Sequence, residues 1–159
     1  LWGDHGWHLG EHNFWGKHNV LHLSTRSPLI ISAPGFKSGQ TCERLVEFVD
    51  LYPTLMDLVG INSNNKGLEG TSFKPLLETP RLKWKSAAFP KYGPASCLVT
   101  NQFNYAEFND GQKMLFDLKA DPDENINLAA SPEHEKTLNR LGKMLKDGWI
   151  KLLPSETKH

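Results

Sequence analysis

The residues with the clearest capacity for chemistry lie together near the start of the chain. Asp4 offers a carboxylate and His5 an imidazole directly beside it, and glycines stand before and after the pair. Carboxylate oxygen suits a hard cation such as calcium or magnesium, whereas imidazole suits zinc and other transition metals. Adjacent side chains can reach one metal only from a bent backbone, which the glycines permit. Lys17 follows after a loop, and a cation beside a metal is what an anionic ester needs in its transition state.

Each of these residues also has a plainer interpretation. An isolated Asp-His-Gly triplet is more often a turn than a metal site, and a lone lysine is most often a solvated charge. His8 and His12 could form a zinc site, although histidines four apart work best on a helix and the glycines disfavour one here. Trp7 and Trp15 could stack on a ring, but tryptophan is more often simply core or rim. The residues alone leave these alternatives open.

Length and composition narrow the class of protein. The chain has 159 residues with 18 basic and 18 acidic side chains, so its formal net charge is zero. This balance argues against a nucleic-acid partner, and no apolar run is long enough to span a membrane. Two cysteines, Cys42 and Cys97, cannot make a disulfide framework. Five of the seven histidines fall within the first 22 residues, against the chain's edge, so we expect a piece of a longer protein.

The elements that position the first segment follow an α/β order. The glycine-rich residues 1–28 predict a strand end followed by a long functional loop. The apolar run at 28–33 predicts a buried strand that ends in a turn. Asp50 as N-cap, Pro53 in the first turn and Gly60 as a stop predict a helix over 51–59.

The second half of the chain predicts a small antiparallel sheet and a terminal helix. Strand-like segments at 97–100, 103–108 and 113–118 include a hairpin signal at Asn109-Asp110-Gly111. A turn is predicted at 121–123, and Ser131 and Pro132 open a helix. The apolar stripe of that helix consists of Leu138, Leu141, Leu145, Trp149 and Leu152. We predict a boundary near residue 80, between part of an α/β catalytic domain (1–80) and a C-terminal subdomain (81–159).

The order of several segments resembles the type I sulfatases, and most of all their iduronate-2-sulfatase-like members. Residues 1–18, LWGDHGWHLGEHNFWGKH, are similar to the family's second metal-and-lysine segment. Segments 24–35, 49–55 and 68–73 resemble the strand after the site, the next helix and a glycine loop. Residues 115–118 and 121–128, LFDL and DPDENINL, resemble the family's C-terminal signature. These segments follow the family's order over nearly the whole chain.

The resemblance implies a fold, a reaction and residue roles. The family has an alkaline-phosphatase-like α/β/α sandwich and a C-terminal subdomain of four antiparallel strands and a helix. It hydrolyses sulfate esters with calcium (Ca2+) and a formylglycine made from Cys or Ser. Matched by position, Asp4 and His5 fall on calcium ligands, and Lys17 falls on the catalytic lysine that contacts the sulfate group. We also assign Trp7 and His12 to substrate binding.

The same resemblance predicts the protein's surroundings. The expected partners are a sulfated carbohydrate substrate and the N-terminal half of the same protein, with no nucleic acid and no membrane. Sulfatases of this kind are usually exported, so a periplasmic, extracellular or lysosomal location is expected.

Part of the family's site is absent from this sequence. The family's nucleophile lies in a Cys/Ser-x-Pro/Ala-x-Arg motif, which begins at neither Cys42 nor Cys97. The paired aspartates and the family's other active-site His and Lys belong to its N-terminal half. Asn101 and Gln102 stand where many relatives carry an Arg. We therefore expect this chain alone to be inactive. The alternatives are a phosphodiesterase or phosphonate hydrolase of the same superfamily, or a non-catalytic sugar-binding module.

Overall fold

The computed structural model describes residues 1–61 and 67–154 and divides the chain into two compact units. The first unit comprises residues 1–30 and 89–151, and the second comprises the described residues of 31–88 together with 152–154. The predicted boundary near residue 80 concerns the domains of a longer protein and stays a prediction. Among the described residues, no helix is both long and apolar enough to cross a membrane.

The helices and strands follow in chain order. The helices are α1 (His22–Thr25), α2 (Leu51–Leu58), α3 (Lys74–Glu78) and α4 (Glu135–Asp147), with 3-10 turns at Glu11–Asn13, Phe48–Asp50, Pro132–His134 and Trp149–Leu152. The strands are β1 (His8–Leu9), β2 (Trp15–Gly16), β3 (Lys91–Tyr92), β4 (Ala95–Val99), β5 (Phe103–Phe108) and β6 (Lys113–Asp117).

An antiparallel sheet in the order β3-β4-β5-β6 forms the core of the first unit. Leu98 pairs with Tyr105, and Tyr105 pairs in turn with Leu115, and all three side chains are fully buried. Gly111, at a φ of 86°, closes the hairpin between β5 and β6. The predicted strands, the hairpin and the turn after Asp121 are therefore confirmed. The Asn-Asp-Gly turn between two strand-like segments fixes how β5 and β6 pair.

Helix α4 packs on this sheet against β4 and β5. Leu141 of the predicted stripe is fully buried, and Leu138 and Leu145 are half-buried. The helix ends at Asp147 because Gly148 adopts a φ of 78°, which a right-handed helix cannot accommodate and which glycine reaches without a Cβ penalty. The predicted continuation of the helical stripe through Trp149 and Leu152 is therefore wrong, since both lie in a separate 3-10 turn.

The predicted buried strand at 28–33 is also wrong. In the described part of the chain, residues 28–30 pair with residues 1–3 alone: Leu29 forms an antiparallel bridge to Trp2, and the Ile30 amide donates to the Leu1 carbonyl at 2.8 Å. The next side chain, Ile30, is 64% exposed. A strand is buried only when neighbouring strands and a covering layer surround it, and among the described residues this segment pairs on one side only.

The second unit is organised around a buried carboxylate at the start of α2. The predicted helix, with Pro53 in its first turn and Gly60 after its end, is confirmed. The predicted capping role of Asp50 needs a correction, because its side chain does not cap α2. Asp50 accepts hydrogen bonds from the backbone of Glu47 and Thr71 and pairs with Lys85 at 2.7 Å, which compensates its complete burial. The 3-10 turn at Phe48–Asp50, capped by Glu47, begins the helix instead.

The two cysteines lie in opposite environments. Cys42 is exposed, whereas Cys97 is buried in β4, where its thiol donates to Asn104 Oδ1 at 2.9 Å. Burial, and then the nearby Glu124 carboxyl, raise the pKa of the Cys97 thiol to about 12. Because the thiolate is the reactive form, Cys97 is protected both by access and by its charge state.

We expect iodoacetamide at about pH 8 to label the native chain at Cys42 alone, because burial keeps the Cys97 thiol both protonated and inaccessible. Peptide mass spectrometry after brief labelling checks this, with the same reaction in denaturant as the control that labels both residues. Labelling of native Cys97 at a rate near that of Cys42 would contradict the buried position of β4.

Candidate functional site

Asp4, His5 and Lys17 meet at one atom, the Nε2 nitrogen of the His5 ring. Asp4 Oδ2 lies 3.1 Å from it, and the Lys17 ammonium contacts it directly. The other ring nitrogen, Nδ1, lies 2.7 Å from the carbonyl oxygen of Gly6. A nitrogen facing a carbonyl must carry the ring proton, so Nε2 holds the free lone pair.

This arrangement is typical of a histidine prepared to bind a cation. Histidines that ligate metals usually donate their other N–H to a carbonyl or carboxylate, which fixes the ring. The Nε2 lone pair and the Asp4 oxygen are two acceptors side by side, and such a pair is stable only when a positive charge is shared between them. The Asp4 side chain is 81% exposed, so its carboxylate is open to further contacts.

The donor set of Asp4 and His5 is compatible with calcium but incomplete. Calcium takes six to eight oxygen-rich ligands, and the pair provides two positions. Within the described ranges 1–61 and 67–154, no group of three or more His, Cys, Asp or Glu is arranged to hold a metal ion. Any cation held by Asp4 and His5 therefore needs ligands beyond these two residues.

Glycine at position 6 fixes the backbone beside His5. A Cβ on Gly6 would lie 1.7 Å from the carbonyl oxygen of Leu23, an impossible contact. The Gly6 amide donates to the Ser24 carbonyl at 3.0 Å, and the Gly3 amide donates to the Pro28 carbonyl at 3.1 Å. Asp4 and His5 thus lie between two anchored glycines, which explains why the segment is bent there.

A short hairpin returns Lys17 to His5, twelve residues earlier in the chain. Strand β1 pairs antiparallel with β2, with His8 opposite Gly16. Gly10 and Gly16 adopt φ values of 126° and 129°, which side-chain-bearing residues rarely reach. The glycines that argued against a helix in the sequence thus allow the turn that brings Lys17 to the Asp4–His5 pair.

Trp7 lies beside this group. Its ring centroid is 5.8 Å from that of His5, and the side chain is 52% exposed. The structure therefore brings together four of the five predicted site residues: Asp4, His5, Trp7 and Lys17.

His12 makes a different set of contacts. Its Nε2 donates to the backbone carbonyls of Asp123 at 2.8 Å and Glu124 at 3.2 Å, and its ring centroid is 5.4 Å from that of His8. These contacts tie His12 to the turn after β6 rather than to Lys17. A role of His12 in substrate binding stays a prediction.

The zinc alternative at His8 and His12 is disfavoured by the proton positions. Asn19 Oδ1 accepts from the Leu21 amide, so its Nδ2 donates to His8 Nε2 at 3.2 Å. His8 therefore carries its proton on Nδ1 and has no lone pair left for a metal. The Nδ1 atoms of His8 and His12 are both buried without a hydrogen-bond partner. His8 Nδ1 carries a proton, so only His12 Nδ1, whose ring donates from Nε2, offers a lone pair.

Sequence reasoning missed two contacts around Lys17. Glu124, quoted only as part of the C-terminal signature, is buried and accepts from the His22 amide at 2.6 Å. The ring of His18, the residue after Lys17, lies stacked 5.4 Å from Tyr92 in β3. Both contacts join segments more than 70 residues apart, for which local pattern gives no signal. One indication of the first contact is present in the sequence, which is that the turn-forming segment 121–128 carries the Glu124 carboxylate.

Comparisons with known proteins identify the family of the chain. The family model described as N-sulphoglucosamine sulphohydrolase, C-terminal, matches residues 10–150. An N-acetylglucosamine-6-O-sulfatase of Bacteroides thetaiotaomicron is 33% identical over 160 residues, which cover 91% of this chain and 28% of that protein.

Two solved structures place the fold. One is a protein in complex with its substrate D-glucosamine-2-N,6-O-disulfate, with a TM-score of 0.84 and 30% identity over 92% of this chain and 32% of the other. The second is a phosphonate monoester hydrolase from Silicibacter pomeroyi, also at a TM-score of 0.84 and 30% identity, over 97% of this chain and 35% of the other. The chain thus spans about a third of the length of the known proteins it matches.

These likenesses confirm the predicted fold class, the C-terminal part of an alkaline-phosphatase-like fold with a small antiparallel sheet and a terminal helix. The iduronate-2-sulfatase-like subtype stays a prediction. Since the family model covers most of its length, the chain belongs to the N-sulphoglucosamine sulphohydrolase C-terminal family and is the C-terminal portion of a sulfatase-family protein.

Proposed function

We propose that this chain is the C-terminal part of an enzyme that hydrolyses sulfate esters of a sugar, and that it supplies about half of the active site. The observation that carries the proposal is the meeting of Asp4, His5 and Lys17 at one imidazole nitrogen. That group combines two cation ligands with an ammonium held beside them, which is the charge arrangement that an anionic ester requires.

Lys17 is the residue proposed to act on the ester. When a sulfate ester is cleaved, negative charge shifts among the sulfate oxygens and the departing alcohol oxygen. An ammonium on a flexible stem offers three hydrogen-bond donors to those oxygens. Because Lys17 is partly buried against His5, its charge acts through less water than an exposed lysine would, and its effect is correspondingly larger.

Asp4 and His5 are proposed as the ligands that this half contributes to a calcium ion. Calcium, when bound, would polarise the ester and neutralise its charge. His5 keeps its lone pair directed at the site because Gly6 holds the proton on the opposite nitrogen. The nucleophile, a formylglycine in the resembled family, is expected in the N-terminal half, which is the proposed partner of this chain.

Trp7 is the proposed sugar contact. Its ring is half exposed beside His5, and an exposed aromatic face next to a charged group suits the apolar face of a sulfated sugar ring. The structural relative in complex with a sulfated glucosamine supports this substrate class. An exported location follows from the family resemblance and remains part of the proposal.

A phosphonate monoester hydrolase is the second candidate function. The solved hydrolase of that kind matches 97% of this chain, as closely in TM-score as the sulfated-sugar complex. Both reactions cleave a tetrahedral anionic ester, so the same Lys17 and metal ligands would serve either one.

We expect the purified 159-residue chain to release no nitrophenol from nitrophenyl sulfate, because it contains no nucleophile motif. An absorbance assay over hours checks this, with a Lys17→Met chain purified in parallel as the control for contaminating enzyme. Turnover that belongs to the wild-type chain and disappears in Lys17→Met would show that this half is catalytic by itself.

In the longer protein that carries residues 1–159, Lys17→Met should lower kcat/KM for a sulfated glucosamine by about 10²- to 10³-fold, because one preorganised charge is removed from the transition state. Lys119→Met removes an exposed lysine of the first unit and should leave the rate within about twofold of wild type. Steady-state kinetics on the sulfate ester and on a matched phosphonate monoester provide the measurement. A higher kcat/KM for the phosphonate would favour the second candidate, and a rate unaffected by Lys17→Met would contradict both.

A further inference from the structure

Glu124 is a buried carboxylate that faces two hydrogen-bond donors. It follows the turn at 121–123 with a φ of 56°, and only 2% of the residue is exposed. One oxygen, Oε2, accepts from the His22 amide at 2.6 Å, and the other, Oε1, accepts from Asn104 Nδ2 at 2.5 Å. Burial raises the pKa of Glu124 despite these bonds, which marks the carboxylate as costly to keep at this position.

These contacts hold the chain on the C-terminal side of Lys17. Asn104 Nδ2 also donates to the Val20 carbonyl at 3.1 Å. Val20 and His22 lie three and five residues after Lys17, so Glu124 and Asn104 together hold one carbonyl and one amide of the segment that carries the lysine.

The same turn holds the chain on the N-terminal side of Lys17. His12 Nε2 donates to the backbone carbonyls of Asp123 and Glu124. Position 124 is therefore bonded to residues five before and five after Lys17, although more than 100 residues separate them in sequence.

The side chain at position 124 must present a hydrogen-bond acceptor to both the His22 amide and the Asn104 side-chain amide. The His22 donor is a backbone amide and cannot turn round. The Asn104 amide is fixed in its orientation, because its Oδ1 accepts from the Cys97 thiol at 2.9 Å and its Nδ2 faces the Val20 carbonyl. A glutamine at 124 would place its own NH₂ group against one of the two donors.

We propose that Glu124 is a positioning residue that fixes residues 12–22, and with them the Lys17 ammonium, beside His5. It touches neither substrate nor metal and acts through the backbone of the segment. The effect on position is a property of this chain alone, whereas the effect on rate rests on the function proposed above.

The first test is nuclear magnetic resonance of the chain itself, comparing Glu124→Gln with Asp123→Asn. The control removes a neighbouring exposed carboxylate and leaves the backbone carbonyls in place. In Glu124→Gln we expect the His22 amide to shift and to exchange faster, and the Lys17 and His5 side-chain signals to move, while Tyr105 in the core stays unchanged. Lys17 and His5 signals equal to those of wild type would overturn the proposal, whether or not the protein is a sulfatase.

The second test is a double-mutant cycle in the longer protein. Glu124→Gln should lower kcat on a sulfated glucosamine by about 10- to 100-fold, the usual effect of losing an outer support of a site, with KM little changed. In a Lys17→Met background the same change should have almost no further effect, because the lysine it positions is gone. An equal loss in both backgrounds would indicate a merely structural role and overturn the proposal.

A third variant guards against misfolding. Glu124→Asp keeps both acceptors on a shorter stem, so it should retain the core signals and give a smaller shift at His22 and Lys17 than Glu124→Gln. If Glu124→Gln does not fold, the same two tests are applied to Glu124→Asp. Lys17 signals in that variant identical to those of wild type, together with a shifted His22 amide, would overturn the proposal.

Discussion

The first unit depends on the burial of one carboxylate. Glu124 lies between the His22 amide and the Asn104 side chain, where an ionised group is stable only if both donors stay in place. If either contact is lost, one oxygen of the buried Glu124 carboxylate is left without a hydrogen-bond donor. The turn after β6, strand β5 and the segment that follows Lys17 therefore keep their positions together. A turn near the end of the chain thereby specifies the position of a loop near its start.

The candidate site, in contrast to Glu124, is built from an exposed carboxylate and a backbone fixed by glycines. Asp4 is exposed, and it is the glycines at positions 3 and 6 that fix the backbone around Asp4 and His5. His5 is oriented by a backbone carbonyl and approached by Lys17 through a short hairpin. Open ligands on a rigidly bent backbone suit a site that is completed by groups from elsewhere, since they can accept new partners without rearranging the chain.

The sequence allowed prediction where the determinants were local. Strands β5 and β6 and their hairpin follow from two strand-like runs on either side of Asn-Asp-Gly, and the start and end of α2 follow from Pro53 and Gly60. The grouping of Asp4, His5 and Lys17 was predictable because glycine spacing and the family's motif agree.

Prediction failed where the outcome depends on distant partners. The segment 28–33 is not a buried strand because within the described ranges it pairs on one side only, with residues 1–3. Asp50 is held by Lys85 and Thr71 rather than capping its own helix. The contact between Glu124 and His22 spans 102 residues, and no local pattern encodes it.

The central claim is that Asp4, His5 and Lys17 are one half of a sulfate-ester site. Peptide mass spectrometry of the longer protein that contains residues 1–159 tests this claim most directly. We predict a Cys- or Ser-x-Pro/Ala-x-Arg peptide upstream of Leu1 whose first residue has been converted to formylglycine, preceded by paired aspartates. An upstream sequence with no such motif, or with a Thr nucleophile and no paired aspartates, would contradict the account and leave the Asp4–His5–Lys17 group without the chemistry assigned to it.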